Sequence, residues 1–214
     1  MPNSLPLYTV VSKSHETIYK YFLQSIDKND YDINVLSIES VNGGNYMSMD
    51  WFKIMKARNQ FLINLFEDNI GNPIVHADCD ILFFSESKKE LLKNLVNYDI
   101  VFQDDCDMLC MGLFICIPTK EIIDMFYNIL RLTKEEQYDQ IIMNKIISEY
   151  GIKYKKLGKK FYTPGFARKG IVSSINDFKD DIPDDLCTFH ANYIDNINLK
   201  EESMKYVLEK YGKK

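Results

Sequence analysis

The chain has 214 residues, 46% hydrophobic and 13% aromatic, enough to fill one generous α/β core or two small ones without disulfides or zinc. A net charge of −5 argues against a general nucleic-acid-binding surface. No apolar run approaches the roughly 18 residues that a bilayer span needs.

The N-terminal MPNSLPLYTVVSKSH has neither a basic leader nor a long apolar segment, and no N-x-S/T sequon occurs, so a reducing cytosol is the expected compartment. The five cysteines fit that expectation. Their odd count and the lack of a CxxC argue against a disulfide framework, and Cys106 and Cys110 have no neighbouring histidine to suggest zinc. One stretch departs from the acidic balance. KYKKLGKKFYTPGFARKG, from Lys153 to Gly170, carries seven basic residues and no acid, suiting either an anionic acceptor or closure over a phosphate.

In chain order, LYTVV (Leu7 to Val11) is β-prone, and SKSHET behind it offers caps for a helix over IYKYFLQSI. DINVLSI (Asp32 to Ile38) alternates as a second strand does, and the loop SVNGGNYMSMD follows it. WFKIMKARNQFLINLF predicts a helix, with Trp51, Ile54, Met55, Leu62, Leu65 and Phe66 on the core stripe and Lys53, Lys56 and Asn59 off it. EDNIGNP ends that helix. IVHADCDILFF reads as a buried strand, a turn and a second apolar stretch. SESKKELLKNL predicts a helix with a capping box between Ser87 and Glu90.

YDIVFQDD is a strand ending in acids, and MGLFICI is a continuous apolar run suited to a central strand, closed by Pro118. Helices are expected over EIIDMFYNIL, YDQIIMNKII and LKEESMKYVLEKY. Strands alternating with helices predict a single α/β domain over 1–214, with a mostly parallel central sheet flanked by helices.

Chemistry concentrates in NPIVHADCDILFF. Open α/β sheets gather ligands beyond the carboxyl ends of their strands, where IVHADCD places Asp78 and Asp80. In an extended D-x-D both carboxylates share one face, and their repulsion is relieved by a hard cation that also takes phosphate oxygens. A solvated turn between two core strands is the plainer reading.

GNPIVHADCDILFF resembles the apolar-strand, D-x-D, apolar signature of nucleotide-diphospho-sugar transferases of the GT-A fold, closest to their small, mostly retaining families. Other segments are similar in order: YDIVFQDD and CMGLFICIPTKEIIDMF, the DQ of YDQIIMNKII, and the H-x-N of FHANYI. The likeness covers about residues 7 to 200, and only D-x-D, DQ and H-x-N are specific.

The resemblance implies Mn²⁺ or Mg²⁺ on Asp78, Asp80 and His190. Thr9, Lys56, Arg58 and Gly112 join the two aspartates as donor-binding candidates, and Asp139, Gln140, Asp104 and Asp105 lie near the reacting centre. It further implies transfer of a hexosyl or pentosyl group, with retention, from a nucleotide-sugar, most simply a UDP-sugar, to a hydroxyl of a glycan, protein or small molecule. Bland roles stand beside these. Asp139 suits a helix start, Asp104 and Asp105 a turn, Lys56 a solvated face, Gly112 strand packing and His190 a structural histidine. His76 is expected to pack in the core, and His15 carries no functional signal.

Two departures stand out: Met111 replaces the family's usual Asn, Ser or Thr, and the only tryptophan is Trp51, away from D-x-D. Two rivals use the same residues. One is a haloacid-dehalogenase-type phosphatase, with FKDDIPDD (Phe178 to Asp185) as its late acids, although Leu82 replaces the small residue it wants. The other is a catalytically silent nucleotide- or glycan-binding module of the same fold.

Overall fold

The computed structural model describes residues 4–39, 49–134, 138–168 and 170–212. Most of the expected Gly/Asn/Ser loop at 40–50 lies outside them. The first half of the chain runs β1 (Leu5–Ser12), α1 (Glu16–Ser25), β2 (Tyr31–Ile38), α2 (Met49–Asp68), β3 (Ile74–Ala77), β4 (Ile81–Phe83) and α3 (Ser87–Leu95). Next come β5 (Ile100–Asp105), β6 (Met108–Cys116), α4 (Lys120–Leu132) and α5 (Asp139–Ile146). The last part holds β7 (Tyr154–Lys156), β8 (Phe161–Tyr162), α6 (Gly165–Arg168), β9 (Thr188–His190) and α7 (Ile197–Tyr211).

The central sheet has the order β2-β1-β3-β6-β5-β7. Among the described residues its only antiparallel member is β6, paired with β3 on one side and β5 on the other. The expected mostly parallel sheet is therefore present, and MGLFICI is a central strand, buried from Leu109 onward. Its reversed direction has a local cause: β5 and β6 are joined by the tight turn Cys106–Asp107, with Cys106 at φ 59°, and a turn that short returns the chain only antiparallel.

Strand burial follows position. In β1 every residue but Pro6 is buried, as expected where helices cover both faces. At the sheet edge, β2 is mostly part-exposed, with Val35 open to solvent. Helices α2, α4 and α5 pack on one face around Phe66, Phe114 and Phe126, with the Phe66 and Phe126 ring centres 4.7 Å apart, edge to face. The other face is covered by α1 and α3. A second sheet, β4-β9-β8, extends that layer, and α7 packs against α1.

Two local expectations are corrected. The capping box at Ser87 is absent: Ser87 lies inside α3 and is buried, its hydroxyl 2.9 Å from the Tyr31 hydroxyl, while Glu86 precedes the helix at φ 73°. A buried phenol competes for that serine more strongly than a helix end does. Asn59, expected on the solvent side of α2, is fully buried because its amide donates to Asp139.

Candidate active site

The site forms where β3 stops. After Ala77 the chain keeps one more ladder bond, from Asp78 N–H to the Gly112 carbonyl at 2.7 Å. It then turns through Cys79 and Asp80, with Ile81 N–H donating back to the Asp78 carbonyl at 3.2 Å. D-x-D is thus a tight turn and not an extended segment. The two carboxylates still converge, because Cys79 is drawn into the apolar cluster against α7. Pairing of β4 with β9 sets Ile81 opposite His190, and Ala191 N–H donates to the Asp80 carbonyl at 3.0 Å. One side-chain ligand atom each from Asp78, Asp80 and His190 lies within 4.8 Å of the other two. A histidine from the far end of the chain reaches D-x-D through sheet register.

Basic groups surround this cluster. Asp80 Oδ2 lies 2.6 Å from Lys200 Nζ, and Asp80 Oδ1 lies 3.4 Å from His190 Nε2. Burial alone would raise the Asp80 carboxyl, but Lys200 and His190 outweigh it and hold it well below the usual carboxylate range. Burial would lower His190, yet Asp80 beside it pushes it well above an ordinary histidine. Asp78 is likewise opposed by burial and held below its ordinary value by Arg58 and then His76.

A second group adjoins the first. Arg58, on α2 and 3% exposed, donates to Asp78 Oδ1 at 3.0 Å and to Asp139 Oδ2 at 2.6 Å. Asn59 donates to the same Asp139 oxygen at 3.1 Å. Gln140 accepts from Met111 N–H at 3.0 Å and donates to Asp105 Oδ2 at 2.6 Å, while Asn192 Nδ2 stands 3.5 Å from Asp105 Oδ1. The DQ pair of α5, the acid ending β5 and the Asn of H-x-N therefore form one network beside the D-x-D turn. Met111 is 1% exposed and belongs to the core, so its substitution for a polar residue removes no side chain from the site.

Other expected residues lie apart from these contacts. Lys56 is exposed and has no ion pair among the described residues. Asp104 is taken by Lys156 at 2.7 Å. Thr9 is fully buried in β1, one residue beyond the Tyr8–His76 pair, and its hydroxyl has no hydrogen-bond partner among the described residues. Within the basic stretch, Lys160 pairs with Glu90 at 2.9 Å and Lys155 sits over the Tyr98 ring.

The sequence reading missed four contributors. Lys200 carried a signal: it stands in the first turn of α7, where the helix dipole disfavours a cation unless an anion faces it. His76 is buried as expected, yet its Nε2 lies 3.4 Å from Asp78 Oδ1. Asn59 is the third. His15, assigned no role, sits near enough to feel the charges of Asp80, Lys200 and Asp78, with burial lowering it most, and its Nδ1 is 2.8 Å from Ser12 Oγ.

Two carboxylates and an imidazole are a donor set that Mn²⁺ and Mg²⁺ accept. Space for a ligand depends on Gly112, where a Cβ would stand 2.7 Å from Asp78 Oδ2 and 2.8 Å from His190 Cε1. The residues present fit such an ion.

The fold described above is shared with glycosyltransferases of solved structure. A glycosyltransferase involved in the glycosylation of the major capsid of PBCV-1 superposes with a TM-score of 0.64 at 11% identity, over 94% of this chain and 99% of that one. GlyE of Streptococcus pneumoniae TIGR4 gives 0.61 at 13% identity, covering 96% of this chain and 60% of GlyE. The galactosyltransferase LgtC, solved with donor and acceptor sugar analogs, gives 0.56 at 11% identity, over 98% and 97% of the two chains. These likenesses concern the fold. No curated protein gives a significant sequence match. The model of the nucleotide-diphospho-sugar transferase family matches residues 17–204, and the chain belongs to that family.

Family membership counts against the phosphatase alternative. So does the placement of its late acids: Asp180, Asp181, Asp184 and Asp185 are all exposed and none is in the Asp78–Asp80–His190 cluster.

Proposed function

We propose that this protein is a metal-dependent glycosyltransferase that moves a sugar from a UDP-sugar to a hydroxyl acceptor with retention at the anomeric carbon. The observation that carries the reading is the convergence of Asp78, Asp80 and His190 from two distant parts of the chain, with Arg58 and Lys200 on their flanks. Like-charged carboxylates held this close and this far below their normal pKa are arranged to stay ionised at neutral pH, as a cation site needs.

Asp78, Asp80 and His190 would hold Mn²⁺ or Mg²⁺, which when bound would supply Lewis acidity toward the charge of a departing diphosphate. In the transfer, the bond between the anomeric carbon and the diphosphate oxygen breaks, with its electron pair leaving on that oxygen. The acceptor oxygen forms the new glycosidic bond and gives up its proton to the departing diphosphate oxygen. Lys200, next to Asp80, adds positive charge where the leaving group gathers negative charge.

Arg58 locks Asp139 and Asp78 in place before the donor arrives, so little reorganisation remains at the moment of reaction. Asp105 and Gln140 present polar atoms to sugar hydroxyls from a rigid strand end and a rigid helix start. Gly112 keeps the floor of the site open. Thr9, buried in β1 beside β3, supports the nucleotide end. Lys56, exposed on α2, and Asp104, paired with Lys156, take no part in the proposed steps.

The test is a panel of UDP-sugars incubated with Mn²⁺, followed by NMR for released UDP and for the anomeric proton of the product. Turnover that preserves the donor's anomeric configuration, and that Asp78→Asn reduces by about 10²-fold or more as removal of a transition-state contact does, supports the reading. Inversion contradicts retention alone. Tight nucleotide binding with no hydrolysis or transfer across the panel favours the silent binding module.

A further inference from the structure

His190 has two ring nitrogens, and only one of them faces the carboxylates. Nε2 lies 3.4 Å from Asp80 Oδ1, while Nδ1 lies 2.7 Å from Gln103 Oε1. Gln103 is fully buried in β5, at the bulge where the register with β6 shifts after Phe102. Its amide nitrogen is 3.2 Å from the Phe161 carbonyl and 3.4 Å from the Tyr162 carbonyl.

Those two carbonyls only accept, so the amide must turn its NH₂ toward them and its oxygen toward the imidazole. An amide oxygen also only accepts. The nitrogen it meets, Nδ1 of His190, must therefore carry a proton, which leaves Nε2, on the Asp78–Asp80 side, as the nitrogen able to bind a ligand ion. Cys110 Sγ, 3.8 Å from Nδ1, accepts from Gly112 N–H at 3.3 Å and, being a thiol, fits either tautomer, so Gln103 alone decides. The orientation of its amide is set by backbone carbonyls of a different strand, β8.

We propose that Gln103 is the positioning residue for His190: fixed by the Phe161 and Tyr162 carbonyls, it holds Nδ1–H and thereby aims Nε2 at the ion shared with Asp78 and Asp80. The inference rests on the metal reading given above. It places a residue outside the D-x-D, DQ and H-x-N motifs in control of the metal ligand. The register irregularity acquires a purpose here: β6 carries the extra residues 111–113 between the Phe102–Phe114 and Gln103–Cys110 pairs, and such a shift re-aims the side chain that follows it.

The test uses the full chain, Mn²⁺ alone as probe, and two variants. Gln103→Leu keeps bulk and removes the acceptor. Gln103→Glu keeps an acceptor toward Nδ1 but removes the amide donor to the two carbonyls. Calorimetry with Mn²⁺ is expected to show Gln103→Leu weakened about 10–100-fold, the usual cost of losing a group that orients a metal-bound histidine. Gln103→Glu is expected to bind close to wild type while losing thermal stability.

Long-range ¹H–¹⁵N correlation on histidine-labelled wild type is expected to show a proton on Nδ1 of His190 both without metal and with Mg²⁺ in place of the paramagnetic ion. Equal loss of Mn²⁺ affinity in both variants would make Gln103 a strut and overturn the inference, as would Mn²⁺ binding untouched in Gln103→Leu or an unprotonated Nδ1 with Mg²⁺ bound. If Gln103→Leu does not fold, the Glu variant and the nitrogen assignment decide. Failure of wild type itself to bind Mn²⁺ would sink the metal reading instead, an outcome separate from these.

Discussion

Arg58 holds together two acids, Asp78 and Asp139, that lie 61 residues apart in the sequence. With its side chain 4% exposed, it bridges Asp78 and a nearly inaccessible Asp139. Removing one member of a buried ion pair leaves an uncompensated charge, so Arg58→Met should cost about 3–5 kcal/mol in urea-unfolding free energy. Adding Asp139→Asn to that variant should recover part of the loss, and a purely additive double variant would refute the coupling. Gly112 tests the other side of the site. In Gly112→Ala the new methyl meets Asp78 and His190 at under 3 Å, so calorimetry with Mn²⁺ should show at least about tenfold weaker binding, the lower end of the range for disturbed metal-site support. Unchanged affinity would mean that the floor yields. At this scale Asp78, Asp80, His190, Arg58, Asp139 and Gln140 could be named from short motifs. Lys200 and Asn59 could not, because one looks like an ordinary helix lysine and the other sits off the apolar stripe until Asp139 comes to meet it.

Elements bring those residues together through sheet register and helix packing. The side of α2 that carries Arg58 is fixed by Leu62, Ile63 and Phe66, which pack on the sheet against α4. Phe126 of α4 fills the space between Phe66 and Phe114. Phe126→Ala should therefore cost about 3–5 kcal/mol in a denaturant melt. A loss under about 1 kcal/mol, the size of a tolerated core swap, would contradict the packing described here. Most strands and helices were legible because each has a strong period or a continuous apolar run, as in MGLFICI and EIIDMFYNIL. The direction of β6 was not, since a strand's side-chain pattern is the same whichever way it runs; it comes from the Cys106–Asp107 turn. Nor was the small sheet β4-β9-β8, which joins segments about a hundred residues apart and leaves no local trace.

Across the whole molecule the site draws on residues from Arg58 to Lys200, so the architecture and not any one motif assembles it. The same burial that builds the core sets an alkaline limit. Burial raises the Tyr31 phenol, opposed only weakly by Ser87, and pushes Tyr162 the same way. A raised folded-state pKa contributes stability that is complete below the unfolded value of about 10 and is lost as pH climbs through the folded value. Urea midpoints should thus fall steadily above about pH 10, and Tyr31→Phe should flatten that fall. Equal midpoints at pH 8 and pH 11 would contradict the burial of these phenols.

The central claim is that the D-x-D turn and His190 together hold the ion that holds a nucleotide diphosphate. Calorimetric titration of UDP, with and without Mn²⁺, on wild type and on Asp80→Ala tests it most directly. The account predicts UDP binding that requires Mn²⁺ and disappears in Asp80→Ala while the variant remains folded. UDP binding that ignores Mn²⁺, or that survives intact in Asp80→Ala, would contradict it.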